Sequence, residues 1–433
     1  MEVILEKSFF IESLLSLFIT IFIIYVRFGM FENFFSPLNM LLNFQLIALI
    51  FQVPYLFSEE LYSYLQANYF REFIDNSDFV YYSTINIFCY AFFNLSLYIF
   101  LVMFKYKPVK LLYNGFSVSN FEYIFSLGMI GFWTFYNIKK INFSFSPLDI
   151  LMLRYNLEHG FNAIFHKLAL IISLTFLFVL YNLPRKNTYL KLLSISFLIF
   201  FLIYGLISGA RGVIIFGSMI LLFSKYSKIT YDLLLRRLYY GYINRNIFFL
   251  VLIFIGVISY YYIYSIYIRG YEGNIFSVIS QRFDFLIASA VALKEIKPSL
   301  HLEYLIYPFI SYFPRDIFKA KPYPVNAELT YAIFGYSEDW SVNFGAVGES
   351  QYVLPIIWLV VSALTASISL KLISFYSKKR ILNIYDIGTI VVFFFYPASV
   401  LTGGILNPGT GDLIYLGSLF IVLSYVKDRR ISL

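Results

Sequence analysis

Long apolar stretches, separated by short polar connections, make up most of the chain. A hydrocarbon core about 30 Å thick takes roughly 20 helical residues to cross, and a backbone in lipid must satisfy its own hydrogen bonds. Each long apolar stretch is therefore predicted to be a transmembrane helix, which gives about 11 helices (range roughly 10–13). They lie near residues 8–28, 38–57, 84–104, 121–137, 163–183, 190–208, 212–224, 246–267, 351–375, 383–401 and 409–426.

The composition of the whole chain supports this prediction. Of the 433 residues, 60% are hydrophobic and 13% are charged, and the mean hydropathy is +0.74. A soluble globule of this composition would leave a large apolar surface in water and would aggregate. We therefore predict an all-α polytopic integral membrane protein. The 51 Phe and 40 Tyr suit this environment, because aromatic rings favour the bilayer interfaces and tyrosine hydroxyls suit polar cavities.

Basic residues are concentrated in short connections that fall on one side when the predicted helices alternate. Because Lys and Arg in short loops favour the cytoplasm, this side is predicted to be cytoplasmic and the N-terminus external. This bias also explains the net charge of +8, so nucleic acid is not an expected partner. The basic connections lie at 105–110, 185–186, 225–245, 378–380 and 427–430.

One connection is much longer than the others and is predicted to be a large external loop. It spans residues 268–350 and contains seven basic residues and nine acids. Its segment 274–292 is amphipathic and is predicted to form a short helix at the outer interface. The predicted domains are eight helices over 1–267, the loop over 268–350, and the C-terminal helices over 351–433.

Missing motifs exclude several kinds of chemistry. The sequence has no DxD pair for a nucleotide-sugar, no GxxxxGK[ST] loop, no GxGxxG and no HExxH. Its three His are spaced too widely to indicate a metal site, and its one cysteine, Cys89, lies in an apolar stretch. No metal site and no cofactor are therefore predicted, and nucleotide-driven transport and hydride transfer are disfavoured.

The candidate functional residues are the cations that are predicted on the external side. The preference of Lys and Arg for cytoplasmic loops does not explain why they lie there. Arg211 lies in a turn of small residues, 208–212, where a bulky anion can approach the backbone; an anchor at the lipid headgroups is the alternative. Arg282 is predicted either to contact an anion or to pair with Asp284. The segment 314–324 presents three cations beside three prolines, and such a rigid backbone suits the binding of phosphate.

Five short motifs follow one another on the predicted external side. They are Ser146-Pro-Leu-Asp-Ile-Leu-Met-Leu-Arg154, Ser208-Gly-Ala-Arg211-Gly212, Arg282-Phe-Asp284, Pro314-Arg315 with Lys319-Ala-Lys321-Pro322, and Asn343-Phe-Gly-Ala-Val-Gly-Glu349. In this order they resemble the motifs of the Wzy-type oligosaccharide repeat-unit (O-antigen) polymerases. The resemblance covers residues 140–355 by motif and the whole chain by predicted topology.

The resemblance implies a metal-independent glycosyltransferase of the all-helical membrane (GT-C-like) class, without a cofactor. Its donor and acceptor are oligosaccharides on undecaprenyl diphosphate, which are joined at the periplasmic face of the bacterial inner membrane. Such a polymerase implies the lipid bilayer, a flippase and a chain-length regulator as partners.

Within this hypothesis, cations stabilise the diphosphate that leaves the donor, and Arg211, Arg282 and Arg315 are predicted to be catalytic for this reason. Glu349 is the predicted base for the acceptor hydroxyl, and His301 is the rival. The alternative for Glu349 is an acid favoured by a helix N-terminus. The residues predicted to bind the diphosphate or glycan are Arg154, Arg269, His301, Lys319 and Lys321.

Three other functions stay open at this point, of which a membrane acyltransferase is the weakest because His and acid are not paired in a compact motif. An O-antigen ligase shares the topology and the use of Arg, and depends on a His in its large external loop, where this chain has His301. A polysaccharide flippase is a transporter without chemistry; it is expected to have two related halves and short loops, which this sequence does not show.

Overall fold

The computed structural model describes residues 2–32, 35–57, 76–109, 115–117, 285–310, 322–335, 342–406 and 408–431, with single positions between 119 and 131 and between 168 and 175. This part of the chain is mostly helical, as predicted. The helices are α1 (Glu2–Arg27), α2 (Pro37–Phe57), α3 (Asn76–Met103), α4 (Phe285–Glu295), α5 (Tyr307–Ile310), α6 (Val325–Phe334), α7 (Gly345–Val353), α8 (Ile357–Tyr376), α9 (Ile384–Gly403) and α10 (Pro408–Ile431). Two 3-10 turns, Gly29–Phe31 and Leu302–Leu305, and two strands, β1 (Gly115–Ser117) and β2 (Ile381–Asn383), complete the described elements.

Four helices in the described part of the chain are long and apolar enough to cross a bilayer. They are Ser8–Arg27 in α1, Asp78–Met103 in α3, Ile357–Tyr376 in α8 and Ile384–Gly403 in α9, and each overlaps a span predicted from the sequence. The predicted spans at α2 and α10 are helical but are not among these four. The protein is thus a helical membrane protein, and the total of eleven spans stays a prediction.

α9 is the central helix of the described bundle. In its most apolar window 89% of the residues are buried, against 28% in α1. α9 packs against α2, α8 and α10, while α3 packs against α1 and α8. Two glycines let α9 and α10 approach closely: a Cβ added at Gly388 would lie 2.6 Å from the Phe420 ring, and one at Gly417 would overlap the Phe393 ring.

Several spans meet at one end of the bundle, here named the basic end, where α3, α8 and α10 end and α9 begins. Lys371 of α8 donates from Nζ to the carbonyl oxygen of Phe104 at 2.6 Å. Lys379 pairs with Asp428 of α10 at 2.6 Å. For the described residues, these contacts confirm that three of the predicted basic connections share one side.

Two three-residue strands, which the sequence pattern did not predict, also lie at the basic end. They pair in parallel, with Gly115 of β1 opposite Ile381 of β2. Directly after β2, the side chain of Asn383 accepts a hydrogen bond from the N–H of Asp386, and the Asp386 carboxylate accepts one from the N–H of Asn383. This capping box satisfies two backbone donors and fixes the start of α9.

The described part of the predicted external loop is packed into the bundle. α4 and α7 lie against each other, and both contact α3. At one end of α4, Lys294 pairs with Asp78 near the start of α3 at 2.8 Å. At the other end, the rings of Phe285 and Tyr90 lie 5.9 Å apart. The rise from Asp78 to Tyr90 is about 18 Å, so α4 extends to about half the thickness of a 30 Å core.

This arrangement corrects the interface helix predicted over 274–292. The residues Phe285–Ala292 are all buried, so this part of the segment has no exposed polar face. Small residues such as Ala288 and Ala292 allow close contact with neighbouring helices, and the one hydroxyl there, of Ser289, has partners inside the bundle. The predicted boundary at 350 lies within α7, and the division into three domains stays a prediction.

Candidate functional site

Two of the predicted site residues, Glu349 and His301, lie in the described part of the chain. The roles predicted for the other seven stay predictions, because those residues lie outside the described part. They are Arg154, Arg211, Arg269, Arg282, Arg315, Lys319 and Lys321.

The N-terminal ends of α4 and α7 meet at Ser289, and we name this contact the helix junction. The Ser289 Oγ lies 2.6 Å from the carbonyl oxygen of Phe285 and 2.5 Å from that of Phe344. The Tyr90 hydroxyl of α3 lies 3.2 Å from the same Oγ. Because the serine hydroxyl donates to a carbonyl, the tyrosine hydroxyl is left to donate to Ser289, and the junction joins three helices.

Two of the sequence motifs adjoin the helices that form this junction. α4 begins directly after the Arg282-Phe-Asp284 motif, and α7 begins inside the motif that ends with Glu349. Gly345, the first residue of α7, has φ +65°, which disfavours any residue with a side chain. A Cβ there would also overlap the Tyr90 hydroxyl and lie 3.1 Å from the carbonyl oxygen of Leu401. Glycine is therefore required where this motif turns into its helix.

Glu349 is completely buried and accepts three hydrogen bonds, and we name this group the Glu349 cluster. Its Oε2 accepts from the indole N–H of Trp358 at 2.8 Å and from the N–H of Ile405 at 2.7 Å. Its Oε1 accepts from the N–H of Leu406 at 2.6 Å. Gly404 has φ +82°, and a Cβ there would lie 2.5 Å from the carboxylate. The cluster therefore ties α7 to the start of α8 and to the turn after α9.

Two opposing effects set the charge of this carboxyl group, which lies outside the four spans. Burial raises the pKa of Glu349 from 4.5 to about 7, although the three N–H donors favour the charged form. Since both oxygens are occupied by protein donors, the described geometry supports a role in positioning α7. Its assignment as the base stays a prediction.

His301 has the geometry of an oriented imidazole that is partly open to solvent. Its Nδ1 lies 2.8 Å from the Glu303 carboxylate, and its side chain is 35% exposed. Its ring stacks on that of Tyr352 at 4.4 Å, and its backbone N–H donates to the carbonyl oxygen of Val353 at 3.1 Å. A carboxylate on one ring nitrogen fixes the tautomer and leaves the other nitrogen for a ligand or a proton.

Buried amides and hydroxyls connect α6 to the start of α7 and the end of α9. The Asn326 amide lies 3.4 Å from the side-chain oxygen of Asn343 and 3.4 Å from the carbonyl oxygen of Gly403. The Thr330 hydroxyl accepts from the N–H of Val342 at 3.1 Å. Asn326 and Thr330, like Ser289 and Trp358, are not part of any motif recognised in the sequence.

The described residues contain no group of three His, Cys, Asp or Glu side chains that would hold a metal ion. The helix junction, the Glu349 cluster and the His301–Glu303 pair are thus the chemically distinctive features of this region. No protein-family model, no curated protein and no solved structure matches the chain.

Proposed function

We propose that this protein is an O-antigen-type polymerase. It joins undecaprenyl-diphosphate-linked repeat units at the periplasmic face of the bacterial inner membrane, and it is a GT-C-like glycosyltransferase with about eleven spans. The observation that carries the proposal is the helix junction at Ser289, where α4, which begins directly after one motif that resembles those of this family, meets the start of α7, which lies inside another.

In the proposed reaction, a hydroxyl oxygen of the acceptor attacks the anomeric carbon of the donor. The bond from that carbon to the diphosphate breaks, the diphosphate leaves with the electron pair, and the hydroxyl proton passes to a base or to water. Arg211, Arg282 and Arg315 stabilise the charge that develops on the diphosphate.

The donor carries its own leaving group, so the proposed reaction needs neither a nucleotide nor a metal ion. Of the two candidate bases, His301 is in contact with solvent and Glu349 is enclosed. This supports His301 as the residue that orients the acceptor hydroxyl and Glu349 as a positioning residue.

The proposal is tested with the purified full chain in nanodiscs, given undecaprenyl-diphosphate repeat units and a metal chelator. A ladder of longer glycans is expected without nucleotide. Arg211→Ala, Arg282→Ala and Arg315→Ala are each expected to slow the reaction about 100-fold or more, whereas Arg380→Ala at the basic end is the matched control and keeps the rate. A need for nucleotide, or three Ala variants with normal ladders at equal protein levels, would contradict the proposal.

An O-antigen ligase is the second candidate, and the His301–Glu303 pair is the observation that favours it. The two functions differ in the acceptor, which is lipid A core for a ligase and another repeat unit for a polymerase. Supplying both acceptors to the purified protein separates them, because a ligase leaves the repeat units unlengthened and labels the core.

A further inference from the structure

The lysines at the basic end fall into two groups that differ in their partners. Lys379 pairs with Asp386 and Asp428, and Lys427 pairs with Glu122 at 2.6 Å. The cations around the contact between α3 and α8 form no ion pair within the described part of the chain; they are Lys105, Lys107, Lys371 and Lys378. The described neighbours of these residues therefore do not neutralise the positive charge at this contact.

The backbone around the end of α3 holds these cations close together. Lys105 has φ +49° and turns the chain out of α3. The Nζ of Lys371 donates to the carbonyl oxygen of Lys105 at 3.2 Å, and Ser374 donates to that of Lys107 at 2.6 Å. Partial burial lowers the pKa of Lys378, and the nearby charges of Lys107 and Lys371 lower it further. We name Lys107, Lys371 and Lys378 the lysine cluster.

Exposed apolar side chains lie directly beside the lysine cluster on both helices. At the end of α3, Met103 is 66% exposed and Val102 is 47% exposed, and at the end of α8, Phe375 is 60% exposed. Since α3 and α8 cross the bilayer, these side chains face acyl chains while the lysines lie at headgroup level. Adjacent cationic and apolar surfaces match a ligand with an anionic head and hydrocarbon tails.

We propose that the lysine cluster, with the apolar ends of α3 and α8, is a binding site for an anionic phospholipid headgroup. The phosphate is held by Lys107 and Lys378, while Lys371 also keeps the last carbonyls of α3 in place. Each basic residue at a membrane surface attracts anionic lipid, and at this site several act on one headgroup. The site lies at the opposite end of α3 from Lys294 and does not depend on the proposed glycosyl transfer.

The test measures the thermal unfolding midpoint of the purified full chain in detergent, titrated with phosphatidylglycerol, phosphatidylcholine or inorganic phosphate. A ligand that binds the folded state raises this midpoint. Phosphatidylglycerol is expected to raise it and the other two are not. The double variant Lys107→Gln/Lys378→Gln is expected to bind about 25-fold more weakly, at about fivefold for each lost charge. Lys297→Gln, an exposed lysine beyond α4, is the matched control and keeps the affinity.

Native mass spectrometry of the unmodified protein, with equal amounts of the two lipids, gives a second readout that requires no variant. Retained phosphatidylglycerol in clear excess is expected. The proposal is overturned if both lipids are retained equally or if the double variant binds phosphatidylglycerol as tightly as the control variant. Equal protection by inorganic phosphate would overturn the assignment to a lipid.

Discussion

Replacing Glu349 by alanine removes the acceptor of three buried N–H groups at once. The indole of Trp358 and the backbone of Ile405 and Leu406 all donate to this one carboxyl group. Alanine offers none of them a partner, and the Glu349 cluster is closed to bulk water in the folded protein. We expect α7 to lose its attachment to α8 and to the turn after α9.

The expected loss of stability depends on pH, with a sign that follows from the buried carboxyl group. An unpaired buried donor costs about 2 kcal/mol, so three cost about 6 kcal/mol. Because the pKa of Glu349 in the folded protein, about 7, is above the ordinary 4.5, protonation favours the folded state, and wild-type stability falls by about 3 kcal/mol as pH rises through 7. The alanine variant has no carboxyl group at this position, so its stability does not fall in this way. Its deficit is therefore about 6 kcal/mol at pH 5 and about 3 kcal/mol at pH 8.

The assay is reversible denaturant unfolding in mixed micelles at pH 5 and pH 8, for the wild type, the Glu349→Ala variant and the matched control Glu295→Ala. Glu295 lies on the exposed side of α4, 4.0 Å from Lys294, so its replacement is expected to change stability by about 0.5 kcal/mol or less. A deficit for Glu349→Ala below about 1 kcal/mol at both pH values, or a deficit that grows with pH, would refute the reasoning.

Three further outcomes are expected. Gly417→Ala brings a methyl group into a facing aromatic ring and should cost about 1–3 kcal/mol in the same unfolding assay, while Gly131→Ala, with open space around it, should cost little. Lys379→Gln leaves a carboxylate only 1% exposed without its cation and should cost about 3 kcal/mol, whereas Arg380→Gln is nearly neutral. His301→Gln should slow glycosyl transfer about 100-fold with unchanged unfolding; an unchanged rate would remove His301 as the base.

The sequence predicted a span well where the length of the apolar stretch is enough to determine that it is a transmembrane helix. The predicted helices at 8–28, 351–375 and 383–401 match the spans in α1, α8 and α9 closely. Each is long enough to cross lipid and must be helical there, whatever its neighbours are. The alternation of basic connections likewise placed Lys379 and Asp428 at one end of the bundle.

The half-length helices α4 and α7 were not predictable in the same way. They are too short to cross a bilayer, and their position depends on partners far away in sequence, as in the contact of Ser289 with Phe344 and Tyr90. The polar positions of the predicted interface helix lie before Phe285, and the apolar residues that follow them form the helix buried between others. A small-residue pattern around Ala288 was the available signal for close packing.

For the candidate site, the sequence identified Glu349 as a candidate functional residue. It did not identify the residues that surround Glu349. Its acceptor role depends on Ile405 and Leu406, which nothing in the linear pattern connects to it. The adjacent glycines at 403 and 404 were a usable sign that a backbone turn there approaches another group closely. His301 was recognised, but its pairing with Glu303 two residues later was not.

The Glu349 cluster also has a consequence for how the protein is made. A chain synthesised from its N-terminus exposes α7 to the membrane before Ile405 and Leu406 exist, so the buried carboxyl group has no backbone donors at that stage. A short helix with an unpaired acid is unstable in lipid. We therefore expect α7 to settle into the bundle only after α9 has been inserted, so that this region is completed late in biogenesis.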